Sequence, residues 1–274
     1  MTGAGSGGGG IGRVLVVAGS DSGGGAGIQA DVKTVTALGG FAATAITALT
    51  AQDTHTVHGI QEIPESFIAT QIAVVADDIG ADCIKTGMLH RRSVIETVAE
   101  TLHDHLPGVP MVVDPVMVAK GGARLLDGDT TDTLMRLLLP RATLITPNLP
   151  EAEVLTGLTI RTVADMERAG EALLRAGVPA VLLKGGHMDG PELTDILMTA
   201  DGQRLRWTDP RIETRHTHGT GCTTASAIAC GIAQGLDLAE AVARARAYVR
   251  QAIVSAPGIG GGHGPLGHGH TMRA

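Results

Sequence analysis

The sequence predicts a three-layer α/β/α domain built around a central, mostly parallel sheet. Short apolar runs alternate with segments of helical periodicity along nearly the whole chain, and such alternation is typical of right-handed βαβ units. Several of the apolar runs are almost continuously hydrophobic, as expected for strands buried on both faces of a parallel sheet. The chain has 274 residues, 43% of them hydrophobic, which suits one large domain with a sizeable core.

The predicted strands are short runs of Val, Ile, Leu and Ala. Six of them should form the body of the sheet: residues 14–18, 42–49, 83–86, 112–114, 144–146 and 180–184. Two further runs, 194–198 and 204–207, flank the dipeptide Asp201-Gly202. Because this dipeptide favours a tight turn, the two runs predict a β-hairpin.

The predicted helices lie between the strands. In the first, Ile28, Val32, Val35 and Leu38 recur at helical spacing, and Gly39-Gly40 then ends the helix. The same reasoning predicts six more helices, at residues 64–79, 91–105, 130–139, 163–176, 220–234 and 238–253. There is no internal repeat and no interdomain linker, so we expect a single domain.

The two ends of the chain are glycine-rich and are expected to lie outside that domain. Glycine without apolar partners does not offset the entropy cost of its ordering. We therefore expect a disordered tail over residues 1–12, a folded domain over 13–268 and a flexible tail over 269–274. No apolar run reaches membrane-spanning length and the start lacks the apolar segment of a signal peptide, so we expect a cytoplasmic protein.

Composition excludes several classes of function. The formal net charge is −7, and no basic stripe offers a footprint for a nucleic-acid backbone. Aromatic residues make up 1% of the chain, too few for base-stacking platforms. The three cysteines, Cys83, Cys222 and Cys230, are too few for a disulfide scaffold, and their spacing fits no zinc site.

Polar and glycine-rich clusters follow five of the predicted strands. They cover residues 19–27, 52–54, 114–115, 147–151 and 184–186. Ligands of open α/β sheets bind beyond the carboxyl ends of the strands, so these clusters predict one composite site. Residues 25–30 also satisfy the loose dinucleotide-binding template. We discount that template because no acidic residue follows at the distance needed to hold a ribose.

The segment His218-Gly219-Thr220-Gly221-Cys222 opens an apolar helix. Small residues at a helix start leave backbone N–H groups free to face an anion, and the helix dipole adds to that attraction. Cys222 should lie in the first turn, where the same field favours its thiolate. The alternative is a helix start that needs small residues and carries a buried cysteine.

Seven motifs together resemble hydroxymethylpyrimidine/phosphomethylpyrimidine kinases, a family of the ribokinase-like fold. They are residues 19–34 (GSDSGGGAGIQADVKT), 45–52 (AITALTAQ), 85–89 (KTGML), 113–122 (VDPVMVAKGG), 146–153 (TPNLPEAE), 184–187 (KGGH) and 217–223 (THGTGCT). The resemblance covers about residues 13–268. It implies an enzyme of thiamine biosynthesis that uses ATP and Mg²⁺. Its substrates would be 4-amino-5-hydroxymethyl-2-methylpyrimidine and then the monophosphate of that alcohol.

For phosphoryl transfer, the N–H groups of Gly219, Thr220, Gly221 and Cys222 would cradle phosphate. The resemblance also implies that Cys222 stands where sugar kinases of this fold carry a catalytic Asp, so that a thiolate could accept the hydroxymethyl proton. Lys184 and Asn148 are expected to contact ATP, and Asp114 and Glu151 to hold Mg²⁺ partly through water. Glu151 could instead be a helix-capping residue.

For the pyrimidine, the Gln52 amide presents a donor and an acceptor together, and Asp31 could accept from the exocyclic amine. Ala26, Met88 and Val116 could form the walls around the ring. Asp31 could equally be a charge in the first turn of a helix, and Met88 and Val116 could belong to the core. The chain departs from the family pattern at Asp53, where Asn is common, and at Thr86, where Ile is common.

Two other functions remain open on the sequence. One is a pyridoxine or pyridoxal kinase of the same fold, and the other is a catalytically silent protein that binds a pyrimidine. The joint presence of Cys222, Lys184, Asp114 and Glu151 argues against the silent protein. The resemblance also implies a homodimer, with a small molecule as the substrate and neither nucleic acid nor membrane as a partner.

Overall fold

The fold is a three-layer α/β/α domain, as the sequence predicts. The computed structural model describes residues 11–117 and 128–272. Most of the expected N-terminal tail (residues 1–12) and part of the 113–122 motif lie outside the described residues.

The described residues form one sheet of nine strands in the order β3-β2-β1-β4-β5-β6-β7-β8-β9. The strands are β1 (Arg13–Asp21), β2 (Phe41–Gln52), β3 (Val57–Glu62), β4 (Cys83–Thr86), β5 (Met111–Val113), β6 (Leu144–Ile145), β7 (Ala180–Lys184), β8 (Glu192–Thr199) and β9 (Arg204–Pro210). From β2 to β7 the neighbouring strands are parallel. Antiparallel strands complete both edges: β3 pairs with β2, and β8 and β9 form the predicted hairpin beside β7.

Eight α-helices within the described residues cover the two faces of this sheet. They are α1 (Gly27–Ala37), α2 (Glu65–Asp78), α3 (Arg92–His105), α4 (Gly128–Leu137), α5 (Leu149–Thr156), α6 (Val163–Arg175), α7 (Thr220–Ala233) and α8 (Leu238–Val254). Helices α2 to α6 bury one core, which takes in Leu15 and Val17 of β1. Helices α1, α7 and α8 bury the other, which takes in Val14 and Val16. This alternation along β1 is the period of two that separates the faces of a strand.

Two elements were not predicted from the sequence, β3 and α5. Five of the six residues of β3 are exposed, so this edge strand lacks the apolar alternation that indicates a strand. Helix α5 has only eight residues, which is too short for a clear apolar stripe. Its start is set locally by Asn148 and Glu151, whose side chains each accept a hydrogen bond from the backbone N–H of the other in a capping box.

The expectation of a flexible tail over residues 269–274 is corrected in part. His268–Met272 form a short 3₁₀-helix. The Tyr248 hydroxyl donates to the His268 carbonyl over 2.6 Å, and the Thr271 hydroxyl donates to the Ala37 carbonyl over 2.8 Å. These residues are therefore packed against α1 and α8, and of the predicted tail only residues 273–274 lie outside the described part. No helix in that described part is long and apolar enough to cross a membrane.

Thr86 offers a test of the core. Its side chain is fully buried in β4, in register with Val17 and Val113, and its hydroxyl has no hydrogen-bond partner in the described part of the chain. A buried hydroxyl without a partner costs about 1–3 kcal/mol. We therefore expect Thr86→Val, which keeps the shape, to stabilise the protein by about 1 kcal/mol and raise Tm by roughly 2 °C. Scanning calorimetry checks this, with Thr101→Val as the control because the Thr101 hydroxyl donates to the Thr97 carbonyl. A fall in Tm for Thr86→Val contradicts the assignment.

Candidate active site

The predicted composite site is a cavity of about 640 Å³ at the carboxyl ends of the parallel strands. The polar clusters that follow β1, β2, β5, β6 and β7 all contribute to its lining, together with the starts of α1 and α7. Twelve of the thirteen candidate residues line it: Ala26, Gln52, Met88, Asp114, Val116, Asn148, Glu151, Lys184, Gly219, Thr220, Gly221 and Cys222. The exception is Asp31.

The start of α7 is held by a close backbone contact. Gly219 precedes the helix with a φ of 83°, a left-handed conformation that favours glycine. A Cβ atom at Gly219 would lie 1.8 Å from the carbonyl oxygen of Gly25, so no other residue fits. Since the first N–H groups of a helix have no partner within it, the N–H groups of Gly221 and Cys222 remain available to a ligand in the cavity.

The environment of Cys222 differs from the expectation. Burial raises the pKa of this thiol to about 12, although the Lys85 ammonium and the backbone N–H of Gly27 act in the opposite direction. In the ligand-free protein the cost of burying the charge therefore outweighs the groups that favour the thiolate.

Asp114, Glu151 and Lys184 form a charged cluster at one side of the cavity. Lys184 Nζ lies 3.2 Å from Asp114 Oδ1, which also accepts a hydrogen bond from the Thr146 hydroxyl over 3.1 Å. Burial and the neighbouring Asp114 raise the pKa of Glu151 to about 7, while Lys184 opposes this rise. Burial disfavours the charged form of Lys184, but Asp114 and Glu151 outweigh it and raise its pKa.

The carboxylates of this cluster were predicted to hold Mg²⁺. Asp114 and Glu151 are both buried and both face the cavity. The described residues contain no cluster of three or more side chains that could hold a metal by themselves. Two carboxylates fit Mg²⁺ that keeps several waters and takes its other ligands from phosphate. The capping role of Glu151 is also observed, because its Oε2 accepts from the Asn148 N–H over 2.8 Å.

Asp31 is the candidate that the structure corrects. Its carboxylate is fully buried and does not line the cavity. Both of its oxygens lie 2.9 Å from Lys85 Nζ, and Oδ1 also accepts a hydrogen bond from the Ser226 hydroxyl over 2.6 Å. Asp31 therefore neutralises a buried lysine and has no exposed surface in the cavity. The sequence signal that we missed was Lys85 itself, a charge within a predicted buried strand.

Sequence reasoning also missed Asp21 and His218 as individual site residues. Asp21 is buried at the end of β1 and accepts hydrogen bonds from the N–H groups of Gly23, Gly25 and Ala26. Its Oδ2 also lies 2.8 Å from His218 Nε2. Burial would raise the pKa of Asp21, but the bonds to His218 and to these N–H groups outweigh it and lower the pKa. The available signal was an aspartate that precedes a run of glycines, a pattern favourable to such turns.

One apolar part of the cavity lining was not predicted. It includes Leu193, Ile212, Val249 and Ile253. Beside them, the Arg211 guanidinium donates to the carbonyl oxygens of Gly186 (3.0 Å), Gly190 (2.9 Å) and Met188, and so fixes the loop after β7. These residues carry no motif, because each contributes only an aliphatic surface or a contact to backbone.

Comparison with known proteins identifies the family of this chain. A family model described as phosphomethylpyrimidine kinase matches residues 21–267. The hydroxymethylpyrimidine/phosphomethylpyrimidine kinase of Bacillus subtilis is 47% identical over 258 residues, which cover 93% of this chain and 94% of that protein. The chain belongs to the phosphomethylpyrimidine kinase family.

Two further similarities place this family member among its relatives. The thiamine biosynthesis bifunctional protein ThiED of Geobacter sulfurreducens is 51% identical over 94% of this chain, and the chain spans about half (52%) of that longer protein. Among solved structures, the pyridoxal kinase of Staphylococcus aureus in complex with AMP-PCP and pyridoxal superposes with a TM-score of 0.87 at 33% identity. That match covers 97% of this chain and 96% of the other, which confirms the ribokinase-like fold.

Asp53, which stands where Asn is common in the family, lies outside the cavity. The Asp53 carboxylate accepts hydrogen bonds from the N–H groups of His55 and Thr56, between β2 and β3, and also contacts the His58 side chain. Of these partners, His55 and Thr56 lie in the turn and His58 lies in β3. The contacts lower the pKa of the carboxyl group, His58 contributing most. Asp53 therefore stabilises the turn and its junction with β3, and it does not line the cavity.

Asp31 was expected to bind the pyrimidine, whereas the structure pairs it with Lys85. These two roles predict different outcomes for Asp31→Ala. Breaking a buried ion pair leaves Lys85 charged and unpaired, which costs about 3–5 kcal/mol. We expect Tm to fall by roughly 10 °C, as measured by scanning calorimetry. Asp132→Ala, at an exposed position of α4, is the matched control and should change Tm little. An unchanged Tm together with a raised KM for the substrate would restore Asp31 to the binding site.

Proposed function

We propose that the protein is an ATP-dependent kinase that phosphorylates 4-amino-5-hydroxymethyl-2-methylpyrimidine and then phosphorylates the monophosphate to the diphosphate. The observation that carries this proposal is the continuous cavity. It joins an amide-bearing end at Gln52 to a charged cluster at Lys184, with Cys222 and the start of α7 also in its lining. The names of the relatives from Bacillus subtilis and Geobacter sulfurreducens support the substrate and its place in thiamine biosynthesis.

The pyrimidine end is formed by Gln52, Ala26, Met88 and Val116. The amide of Gln52 offers one acceptor and one donor group, which match an exocyclic amine and the ring nitrogen beside it. Ala26, Met88 and Val116 supply apolar surface for the ring. A slot that is apolar except for a few placed polar groups is typical of sites for small molecules.

ATP would occupy the rest of the cavity. Its phosphates would meet Lys184, Asn148 and the N–H groups at the start of α7, where cationic and dipolar groups favour an anion. Its base would lie on the apolar lining at Leu193 and Val249. The solved pyridoxal kinase of the same fold holds the ATP analogue AMP-PCP, which supports the use of ATP. An enzyme that consumes ATP also fits a cytoplasmic location.

Asp114 and Glu151 would hold Mg²⁺ against these phosphates, largely through water. When bound, the ion supplies neutralisation of the charge on the transferring phosphoryl group. Lys184, which lies 3.2 Å from Asp114 Oδ1, keeps the two buried carboxylates from repelling the nucleotide.

Cys222 would receive the proton of the hydroxymethyl group. Because burial disfavours its thiolate, only the small ionised fraction of Cys222 can accept this proton. Lys85 and the Gly27 N–H both favour the thiolate when it forms. The second acceptor, a phosphate oxygen, is already ionised and needs no base. Cys222 should therefore matter more for the first step than for the second.

A homodimer is the proposed assembly. Large apolar side chains are exposed on β2, β3 and α2, at one edge of the molecule: Phe41 (46% exposed), Leu49 (41%), Ile60 (37%), Phe67 (57%) and Val74 (58%). Exposed apolar surface of this kind is typical of protein–protein contacts. Sedimentation measurements on wild type and on Phe67→Asp would test it.

A pyridoxal kinase activity is the second candidate, favoured by the TM-score of 0.87 to the Staphylococcus aureus enzyme. The test is ADP release in a coupled assay, measured with the pyrimidine alcohol, the pyrimidine monophosphate, pyridoxal and no acceptor. We expect release with both pyrimidines, because a two-step enzyme must accept the monophosphate. Turnover of pyridoxal alone would favour the second candidate, and release with no acceptor only would leave neither supported.

Cys222→Ser should separate the two steps. General base catalysis contributes about 10²–10⁴-fold, so we expect kcat to fall by about 10²-fold with the alcohol and less than tenfold with the monophosphate. Below the pKa of about 12 the thiolate fraction rises with pH. Between pH 7 and 9, the first-step rate of the wild type should therefore rise about tenfold per pH unit, and in Cys222→Ser this slope should disappear. Equal losses in both steps would indicate a structural role for the thiol.

A further inference from the structure

Four side chains at the pyrimidine end of the cavity lie close enough to interact, and the proposed chemistry assigns a role only to Gln52. His218 Nε2 lies 2.8 Å from Asp21 Oδ2 and 3.4 Å from the Gln52 amide nitrogen. On its other side, the Gln52 amide oxygen lies 3.2 Å from the Thr50 hydroxyl. Gln52, Thr50, Asp21 and His218 all line the cavity.

The proton positions in this group follow from its geometry. A carboxylate oxygen only accepts hydrogen bonds, so His218 Nε2 must carry the hydrogen that it donates to Asp21. Asp21 cannot turn away, because the N–H groups of Gly23, Gly25 and Ala26 hold both of its oxygens at 2.8–3.1 Å. His218 Nε2 is therefore fixed in its protonated form, and it has no lone pair with which to accept a hydrogen bond from Gln52.

A donor at His218 decides which way the Gln52 amide points. If its NH₂ group faced His218, two donors would face each other 3.4 Å apart. Turning the amide by 180°, which leaves the shape of the side chain unchanged, directs its oxygen to His218 and its nitrogen to Thr50. Thr50 can accept there, because its own hydrogen is donated to the Ser20 carbonyl over 2.8 Å. The single hydrogen of His218 Nε2 is then shared unequally between Asp21 Oδ2 at 2.8 Å and the Gln52 oxygen at 3.4 Å, and one N–H of the Gln52 amide donates to Thr50.

We propose that Asp21 and His218 set the orientation of the Gln52 amide and thereby select the heterocycle. This proposal rests on the proposed kinase function and deepens it. With its oxygen on the His218 side, the amide keeps one free lone pair there and one free N–H on the Thr50 side. That pattern pairs with an amine next to a ring nitrogen, the amine lying towards His218. A ring without the amine leaves the Gln52 oxygen unpaired, which selects against it.

His218 is thus a positioning residue, and its test must separate it from a residue that touches the substrate. We would compare His218→Met, which keeps the length but loses the donor, with His218→Gln, which keeps an N–H donor. We expect His218→Met to raise KM for the pyrimidine alcohol about tenfold, with kcat and the KM for ATP changed less than about threefold. His218→Gln should recover most of this loss.

A double-mutant cycle with Gln52→Ala decides whether His218 acts through Gln52. In the Gln52→Ala background, we expect His218→Met to raise KM for the pyrimidine alcohol by less than about twofold, since no amide remains to be oriented. The preference of the enzyme for the pyrimidine alcohol over pyridoxal should also fall in His218→Met. His263→Ala, at an exposed histidine of the C-terminal segment, is the control and should match wild type.

Several results would overturn the proposal. Equal effects of His218→Met in the presence and absence of the Gln52 amide would indicate an independent role, and failure of His218→Gln to rescue would show that the donor is not what matters. Titration calorimetry without nucleotide measures the dissociation constant of the pyrimidine alcohol for each variant. The double-mutant cycle can therefore be repeated on binding alone. Wild-type turnover of the alcohol tests the kinase function separately, so the two ideas can fail independently.

Discussion

The active site depends on a contact between two stretches of backbone. The carbonyl of Gly25, just before α1, lies where a Cβ atom of Gly219, just before α7, would be, and the loop around Gly25 is held by the carboxylate of Asp21. Helices α1 and α7 therefore begin side by side at the carboxyl end of β1. This contact places two helix N-termini close together, with Cys222 and His218 beside them. Gly219 is required there because a Cβ atom would clash with the Gly25 carbonyl, and not only because glycine adopts a left-handed conformation easily.

Buried charge is the second constraint on this site, and the chain manages it by pairing. Lys85 is fully buried and neutralised by Asp31, and Ser226 of α7 donates to the same carboxylate. Lys184 is paired with Asp114, also in the lining of the cavity. Unpaired, either lysine would be costly to bury. In these pairs the ammonium groups keep their charge in the cavity, as the proposed binding of a nucleotide requires. Each acid also connects a strand to a neighbouring helix or strand.

Much of this arrangement could be predicted from the sequence, and what could be predicted had a local signal. The parallel strands were visible as apolar runs because they are buried on both faces, and the helices α1 and α7 were visible through their periodicity and their glycine boundaries. The edge strand β3 was missed because its residues are polar and exposed. The candidate ligands at strand ends were found because topology alone brings such ends together.

The errors concern partners that are distant in the chain. Asp31 and Lys85 are 54 residues apart, and Asp21 and His218 are 197 apart. A carboxylate read by itself looks available to a substrate, and only the fold shows whether another side chain already occupies it. The same limit applies to Cys222, since a helix start favours a thiolate locally while the burial that opposes it is a property of the whole site. Residue type therefore predicts which chemistry a site can offer, and tertiary pairing determines which groups remain free to offer it.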